Sequence, residues 1–511
     1  MMTQQFNLIS EQWIPVTYCD GSTGTVGWRD LIANSSNIID VSTDPVHIYG
    51  IVLRLATAIF LRTQGAPLGN PSSTAWQEWG EGRLEKGVDV EALDEYLEKW
   101  SDRFWLIDDT HPFLQDPAIA TECTERTSTN KLFFDVASGN NPLWWTKIAD
   151  DYAGAVPFAR AAMALLGQWG YAAGGRCTTR NGIANSKQAP ERQFSQFIPR
   201  GYTLLETLLM CCTPADGDSD LAIKDAPIWE LEPSDVPVLG QLGRLTASTR
   251  GLLLFANSKN EIELVVSTWS KWTTSKEYKD KKNEEFWNAD VFMAKQVTGK
   301  KVNPFKLSIS SVAWRDFPSI MASQTDDGTS YISPTALDPA RNPLGKTDVF
   351  FRSGVTVLTH FADKSKDIGW SRSELPGVLA AGPAKDPAAF FRISQFCKIV
   401  DKIVFSVKRS VVRKAESKKD YQDFVMPDGE MFVQQLWLDA EDKFRAVLHG
   451  EPWEEASRWL IRRYTKRFDE AVAGVEVPQR LAATFRTRQL LIRQFKKITK
   501  DFGLDESEVV L

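Results

Sequence analysis

The sequence predicts an α+β protein: a large mixed α/β N-terminal domain, residues 1–375, followed by a C-terminal four-helix bundle, residues 376–511. Three observations predict it. Short β-prone runs bounded by Gly, Pro, Asn and Asp recur through the first two thirds of the chain. Helical apolar stretches are interspersed among them. After the linker-like AAGPAKDP (380–387), four long helical patterns follow with short connections, over 388–415, 427–448, 451–473 and 478–503.

In order, FNLISEQWIPV (6–16) reads as a short strand. The turn-rich CDGSTG (19–24) and the return TVGWRDLI then form a β-hairpin opening a helix. Residues 46–63 are a strongly apolar helix that ends before Gly65 and Pro67. Residues 88–106 give a second helix, and His111-Pro112-Phe113-Leu114-Gln115 an extended or turn segment. KLFFDVASGNNPLWW mixes β-prone aromatics with a turn. Residues 156–169 are helical and lead into a glycine-rich loop, 170–176. A short helix covers 203–213, and 214–240 is loop-like. Residues 244–270 read as β structure with a turn at NSKN. Residues 271–301 are a polar, Lys-rich excursion, 307–322 return to the fold, and 323–347 are a polar loop. VFFRSGVTVLTHFA (349–362) fits strand and helix equally. No internal repeat is present.

The 511 residues are long enough to bury a large core without disulfides or a structural metal. Hydrophobic residues at 43% and charged residues at 25% exclude wholesale disorder, collagen-like repeats and a coiled-coil rod. No stretch approaches the ~20 apolar residues of a transmembrane helix, and MMTQQFNLIS lacks the basic and apolar regions of a signal peptide. The six cysteines form no CxxC pair, which fits reduced thiols in a cytoplasm. The four histidines form no HExxH or zinc-spaced cluster, which argues against a dedicated metalloenzyme but leaves carboxylate-only sites open. The net charge of −6 means that nucleic-acid binding would require local basic surface.

Several short segments, in order and at characteristic separations, resemble the large subunit of the type I-E CRISPR Cascade complex, the CasA/Cse family. Phe6-Asn7-Leu8 through Trp13-Ile14-Pro15-Val16 is similar to its N-terminal signature. Phe104-Trp105-Leu106 with His111-Pro112-Phe113 and Gln115 matches a second landmark, Pro227-Ile228-Trp229-Glu230 a third, and the terminal bundle a fourth. The resemblance spans the whole chain. It implies a non-enzymatic subunit without cofactor. Such a subunit recognises the protospacer-adjacent motif of double-stranded DNA through the minor groove and helps open the duplex for guide-RNA pairing. It also recruits the helicase–nuclease, and its partners are the other Cascade subunits, guide RNA and target DNA.

The resemblance points to five segments. The loop from about 136 to 155 carries Asn140, Asn141, Trp144, Trp145, Thr146 and Lys147, in which amides and Lys suit groove acceptors and phosphates and Trp can stack or wedge. A glycine loop would bring the backbone of Ala173, Gly174, Gly175 and Arg176 against DNA, because no Cβ intervenes at Gly. A helix C-cap explains the same glycines. The third is Lys276 to Lys282 (KEYKDKK), in a stretch 271–282 with five lysines against two acids, and Lys281 and Lys282 are its expected groove contacts; a solvated charge run is the alternative. Lys364, Ser365 and Lys366 occupy the place where the family inserts a hairpin wedge, often with glutamine, to split the first base pairs. An ordinary polar turn fits them too. Finally, Arg486, Arg488, Arg493, Lys496, Lys497 and Lys500 crowd the last helix, with Lys402, Lys408, Arg409, Arg413 and Lys414 as a second basic group. They suit phosphates or pairing within the bundle equally.

Rival readings fare less well. ARNPLGKT (340–347) nearly fits a P-loop, but no buried strand precedes it and Pro343 sits where backbone donors are needed. A hydrolase lacks the GxSxG elbow. A scaffold whose bundle only docks partners, without DNA readout, is the principal alternative.

Overall fold

A computed structural model of the chain describes residues 4–70, 72–136, 138, 153–214, 224–238, 240–276, 290–308, 312–322, 330–363, 366–377, 387–411, 429–473 and 478–504. They are organised as an α+β architecture in two compact units. The first comprises 1–309 and 323–381, the second 310–322 and 382–511.

The first unit is built around the helix Ile48–Thr63. Every residue of it except Arg62 is buried, so it is a core helix rather than an amphipathic surface one. Each fully buried Ile, Leu or Phe there contributes about 1.5–3 kcal/mol. Its two threonines and Arg54 find hydrogen-bond partners. The Thr57 hydroxyl donates to the Leu53 carbonyl (2.7 Å) and the Thr63 hydroxyl to the Ile59 carbonyl (2.9 Å). Arg54 donates to the Asp290 carboxylate (2.6 Å) and the Gln196 amide oxygen (3.0 Å), with Glu191 at 3.6 Å.

Small antiparallel sheets surround this helix. Ile14–Tyr18 lies between Thr23–Val26 and Ile38–Val41, which realises the expected hairpin and its following helix, Trp28–Ala33. Arg250–Ala256 pairs with Glu261–Trp269, whose other edge takes Thr127–Ser128 and Val156–Pro157. Gly354–Asp363 is the middle strand of a third sheet, between Gln196–Arg200 and Lys366–Pro376. The stretch that fitted strand and helix equally is therefore both, a helical turn over Asp348–Arg352 and then a strand. The expected helix over 88–106 is shorter, Val90–Lys99, and gives way to the strand Trp105–Ile107. The expected strand over 6–16 is two, Gln5–Asn7 and Ile14–Tyr18.

The second unit is the helical bundle: Pro387–Val411, Gly429–Leu448, Trp453–Val472 and Pro478–Asp501. The first of these packs against the other three through Ile393, Phe396, Val400, Val404 and Val407, all buried. Arg467 reaches Asp439 bidentately and Arg488 reaches Asp469 at 2.6 and 2.8 Å, so both tie neighbouring helices together. The expected single boundary near residue 376 needs correcting, because 310–322 belongs to the bundle unit. Helix Ala313–Ala322 lays Trp314 against Phe444 (4.7 Å between ring centres) and packs along the first bundle helix. Pro318 within the helix masks its helical character in the sequence.

Candidate nucleic-acid interface

The glycine segment is built from the helix Phe158–Tyr171. Gly170 and Tyr171 complete that helix, which corrects the expected loop start. The cap is Ala172 with an extended backbone (φ −56°, ψ 137°), so no glycine serves as a left-handed C-cap. The glycines serve the next turn instead. A Cβ on Gly174 would lie 2.9 Å from the Gln188 backbone nitrogen, and Gly175 has φ +103° with open space around it. Ala173 and Gly174 are half-buried; Gly175 and Arg176 are exposed.

Gly175–Arg180 and Ile183–Ser186 form a hairpin absent from the sequence expectations. Its turn is Asn181-Gly182, both with positive φ (46° and 78°), the signature of a two-residue hairpin turn. The hairpin lies against the strand Glu261–Trp269. The Thr268 hydroxyl donates to the Thr178 carbonyl (2.7 Å) and the Trp269 indole to the Ile183 carbonyl (3.2 Å). Arg180, fully buried, donates to Asp116 (2.7 Å), Glu122 (2.6 Å) and the Trp269 carbonyl (3.2 Å). Lys271 reaches the same Glu122 at 3.2 Å, and with Arg180 it holds that carboxyl below its ordinary range against the effect of burial. Lys271, five positions before the expected DNA-facing run 276–282, is thus part of the hairpin's footing. Lys281 and Lys282 lie outside the described residues. The described residues nearest to them on either side include the buried Trp272 and the buried Asp290, the partner of Arg54.

The third element is the long hairpin Gly354–Asp363 and Lys366–Pro376. Asp363 pairs with Lys366 in the backbone, and a bulge lies between Phe361 and Ala362. Lys364 and Ser365 lie outside the described residues, as do Asn140, Asn141, Trp144, Trp145, Thr146 and Lys147 of the first expected loop. Lys366 opens the returning strand.

The roots of these elements meet in one cluster. His47 stacks on Trp370 (3.9 Å between ring centres, 20° between planes), and His360 lies 4.2 Å from the same indole. Tyr171, which ends the helix before the glycine turn, meets Trp370 edge-on at 4.7 Å. Phe134, just before the first expected loop, meets it at 5.4 Å. His360 Nε2 is 2.7 Å from the Asp367 carboxylate, which also accepts from Arg192. Lys306 Nζ donates to the Arg192 carbonyl (2.6 Å), and burial together with Arg192 pushes its ammonium down to about 8. Among the described residues, the structure therefore joins the footings of three segments that the sequence could only place far apart.

Burial disfavours the charged form of both imidazoles. Burial pushes His47 down to about 3, with His360 adding to the effect and Asp367 opposing it. Burial also lowers His360, against the pull of Asp367. Below about pH 6.5 the unfolded chain takes up protons at these rings that the fold refuses, so stability falls as pH falls. Urea unfolding between pH 7 and pH 5 should show this decline. His47→Phe keeps an aromatic ring beside Trp370 and should flatten it; an unchanged slope would remove His47 from the account.

Of the basic residues on the last helix, Arg488 belongs to the bundle's own pairing, whereas Arg486, Arg493, Lys496, Lys497 and Lys500 are exposed. Lys402 lies 4.8 Å from the Phe502 ring centre. Arg413 and Lys414 lie outside the described residues. A cavity of about 60 Å³, lined by Trp169, Trp229, Trp272 and Arg250 among others, contains none of the expected contact residues. No helix among the described residues is long and apolar enough to cross a membrane.

The family model of the CRISPR-associated protein Cse1 matches residues 7–467. The chain belongs to the Cse1 family. A curated relative, CRISPR-associated protein CasA/Cse1 of Thermus thermophilus, is 31% identical over 230 residues. That match covers 45% of this chain and 43% of the relative, less than half of its length. Among solved structures, a chain titled as a CRISPR RNA-guided surveillance complex aligns with TM-score 0.79 at 22% identity, covering 95% of this chain and 99% of that one. Thermobifida fusca Cse1 aligns with TM-score 0.74 at 16% identity, covering 99% of each chain. Thermus thermophilus CasA aligns with TM-score 0.72 at 22% identity, covering 97% of this chain and 100% of that one. At these identities the structural likeness establishes a shared Cse1 fold.

The signal for the missed hairpin was present in the sequence. Asn181-Gly182 between Arg180 and Ile183 is a strong short-range turn marker. No local signal marks Arg192, His47 or Trp370, whose partners are distant in sequence.

Proposed function

We propose that this Cse1-family chain is the large, non-catalytic subunit of a type I-E CRISPR surveillance complex. It reads the protospacer-adjacent motif of target duplex DNA through the minor groove, helps open the adjacent base pairs for guide-RNA pairing, and receives the helicase–nuclease. Ala173, Gly174, Gly175 and Arg176 form the backbone-led groove contact. Lys281 and Lys282, with Asn140, Asn141, Trp144, Trp145, Thr146 and Lys147, are assigned further contacts to the DNA, and Lys364, Ser365 and Lys366 the parting of its strands. The observation that carries this reading is the shared footing: Phe134, just before the first expected loop, Tyr171, before the glycine turn, and Trp370 of the long hairpin pack in a single cluster. A motif reader that also opens the duplex needs its reading and splitting elements held at a fixed separation. Minor-groove readout distinguishes base pairs only coarsely, so several motifs should be accepted.

The bundle supports the recruiting role. Its exposed Phe405, Met431, Leu438 and Phe485 are apolar surface of the kind used in docking. The same observation favours the second reading, a scaffold that docks partners without touching DNA.

A gel-shift titration separates the two. The guide-RNA complex is assembled with and without this chain and offered duplexes with permissive or scrambled flanking motifs. The proposal expects this chain to tighten binding to the permissive duplex alone. Equal tightening of both would support the scaffold and end the motif-reading proposal.

A further inference from the structure

We propose that Arg192 is the positioning residue that sets the glycine turn and the long hairpin at a working distance from each other. Motif contact on one element then places the other for strand opening. This rests on the motif-reading function proposed above.

Arg192 lies in the short helical turn Pro190–Gln193 and is 3% exposed. One guanidinium nitrogen, Nη1, donates to two acceptors on different elements. The first is the Tyr171 carbonyl (3.1 Å), at the last helical residue before the glycine turn. The second is the Asp367 carboxylate, directly after the strand-opening residue of the long hairpin's return. The segment around Arg192 also grips the glycine turn by two further contacts. The Ala189 N–H donates to the Ala172 carbonyl (2.9 Å), and Gly174 approaches the Gln188 nitrogen so closely that a Cβ would collide. The Arg192 backbone is fixed in turn by Lys306, whose ammonium donates to its carbonyl.

The geometry assigns different work to the neighbours. Trp370, His47 and Tyr171 supply apolar packing, which resists separation but tolerates sliding. Hydrogen bonds to a planar guanidinium resist sliding as well, because they weaken steeply with misalignment. His360, hydrogen-bonded to the same Asp367 oxygen, limits the carboxylate's rotation. Arg192 is thus the group that converts a packed contact between turn and hairpin into a directional one. Lysine would keep the charge and lose the planar geometry.

The test uses the full guide-RNA complex carrying wild-type chain, Arg192→Gln, Arg192→Lys or Asp367→Asn. Each is mixed with a permissive-motif duplex bearing 2-aminopurine beside the motif, and with a second duplex mismatched at those positions and therefore already open. Loss of a charge-assisted hydrogen bond should slow opening of the closed duplex about tenfold in all three variants. Binding to the pre-opened duplex, and its preference for the permissive motif, should stay near wild type. That rescue is the readout a merely structural residue would not give. Asp367→Asn carries the test if removal of the buried cation prevents folding. Unchanged opening, or equal loss on closed and pre-opened targets, would overturn the proposal. If the wild-type complex itself opens both motifs alike, the motif-reading function fails and takes this inference with it; that result is distinct from a variant-specific null.

Discussion

Arg54→Met should destabilise the first unit by about 3–5 kcal/mol, the cost of leaving buried carboxylates without their cation. Arg54 is 1% exposed in the middle of the core helix, and its partners Asp290 and Glu191 have side chains only 3% and 6% exposed. Burial pushes Glu191 up to about 7, with Arg54 opposing it. Without Arg54 the rise would be larger, and Glu191 would be neutral at physiological pH. Asp290 would then carry most of the penalty. The deficit relative to wild type should narrow as pH falls, because protonation removes the uncompensated charge from the variant. Urea titrations at pH 7.5 and pH 5 test both statements. A deficit below about 1 kcal/mol at pH 7.5, the scale of an exposed pair, would show that the site is wetter than its burial implies. Because Asp290 follows Lys281 and Lys282 closely in the sequence, the variant should lose motif-selective binding along with stability.

The second large effect is local. Arg180→Ala removes the buried guanidinium that holds the hairpin Gly175–Ser186 to Asp116, Glu122 and the Trp269 carbonyl. Glu122 keeps Lys271 and is partly exposed, so Asp116 is the carboxylate left without a cation. A loss of the order of 3 kcal/mol is expected, concentrated in the hairpin rather than in the core. Amide hydrogen exchange should report it as lost protection across 175–186, with Ile48–Thr63 still protected. Uniform loss across both would mean that Arg180 stabilises the whole unit and not the hairpin. In the assembled complex the variant should bind permissive and scrambled motifs more nearly alike.

The long bundle helices were legible because their apolar period persists over five or more turns; observed and expected limits differ by a few residues at most. Helix Ala313–Ala322 was assigned to the wrong unit because its partners, Cys397 and Phe444, lie far along the chain and Pro318 interrupts its pattern. The glycine turn was visible as composition, but its purpose was not. A C-cap and a close approach to Gln188 demand the same residue, and only the Ala172 dihedrals separate them. The cluster beneath it was illegible for a simpler reason. Arg192 bonds to residues 21 and 175 positions away, and His47 stacks on a tryptophan more than three hundred positions on. No local pattern encodes such meetings; they follow from how the three sheets pack around the core helix.

The proposed placement of the glycine turn against the flanking motif in the minor groove is tested by photocrosslinking from a minor-groove probe within the motif of a bound target, followed by mapping of the crosslinked peptides. Attachment is expected within residues 172–176 and should be lost when the motif is scrambled. Attachment confined to the bundle, or the same yield from both targets, would contradict it.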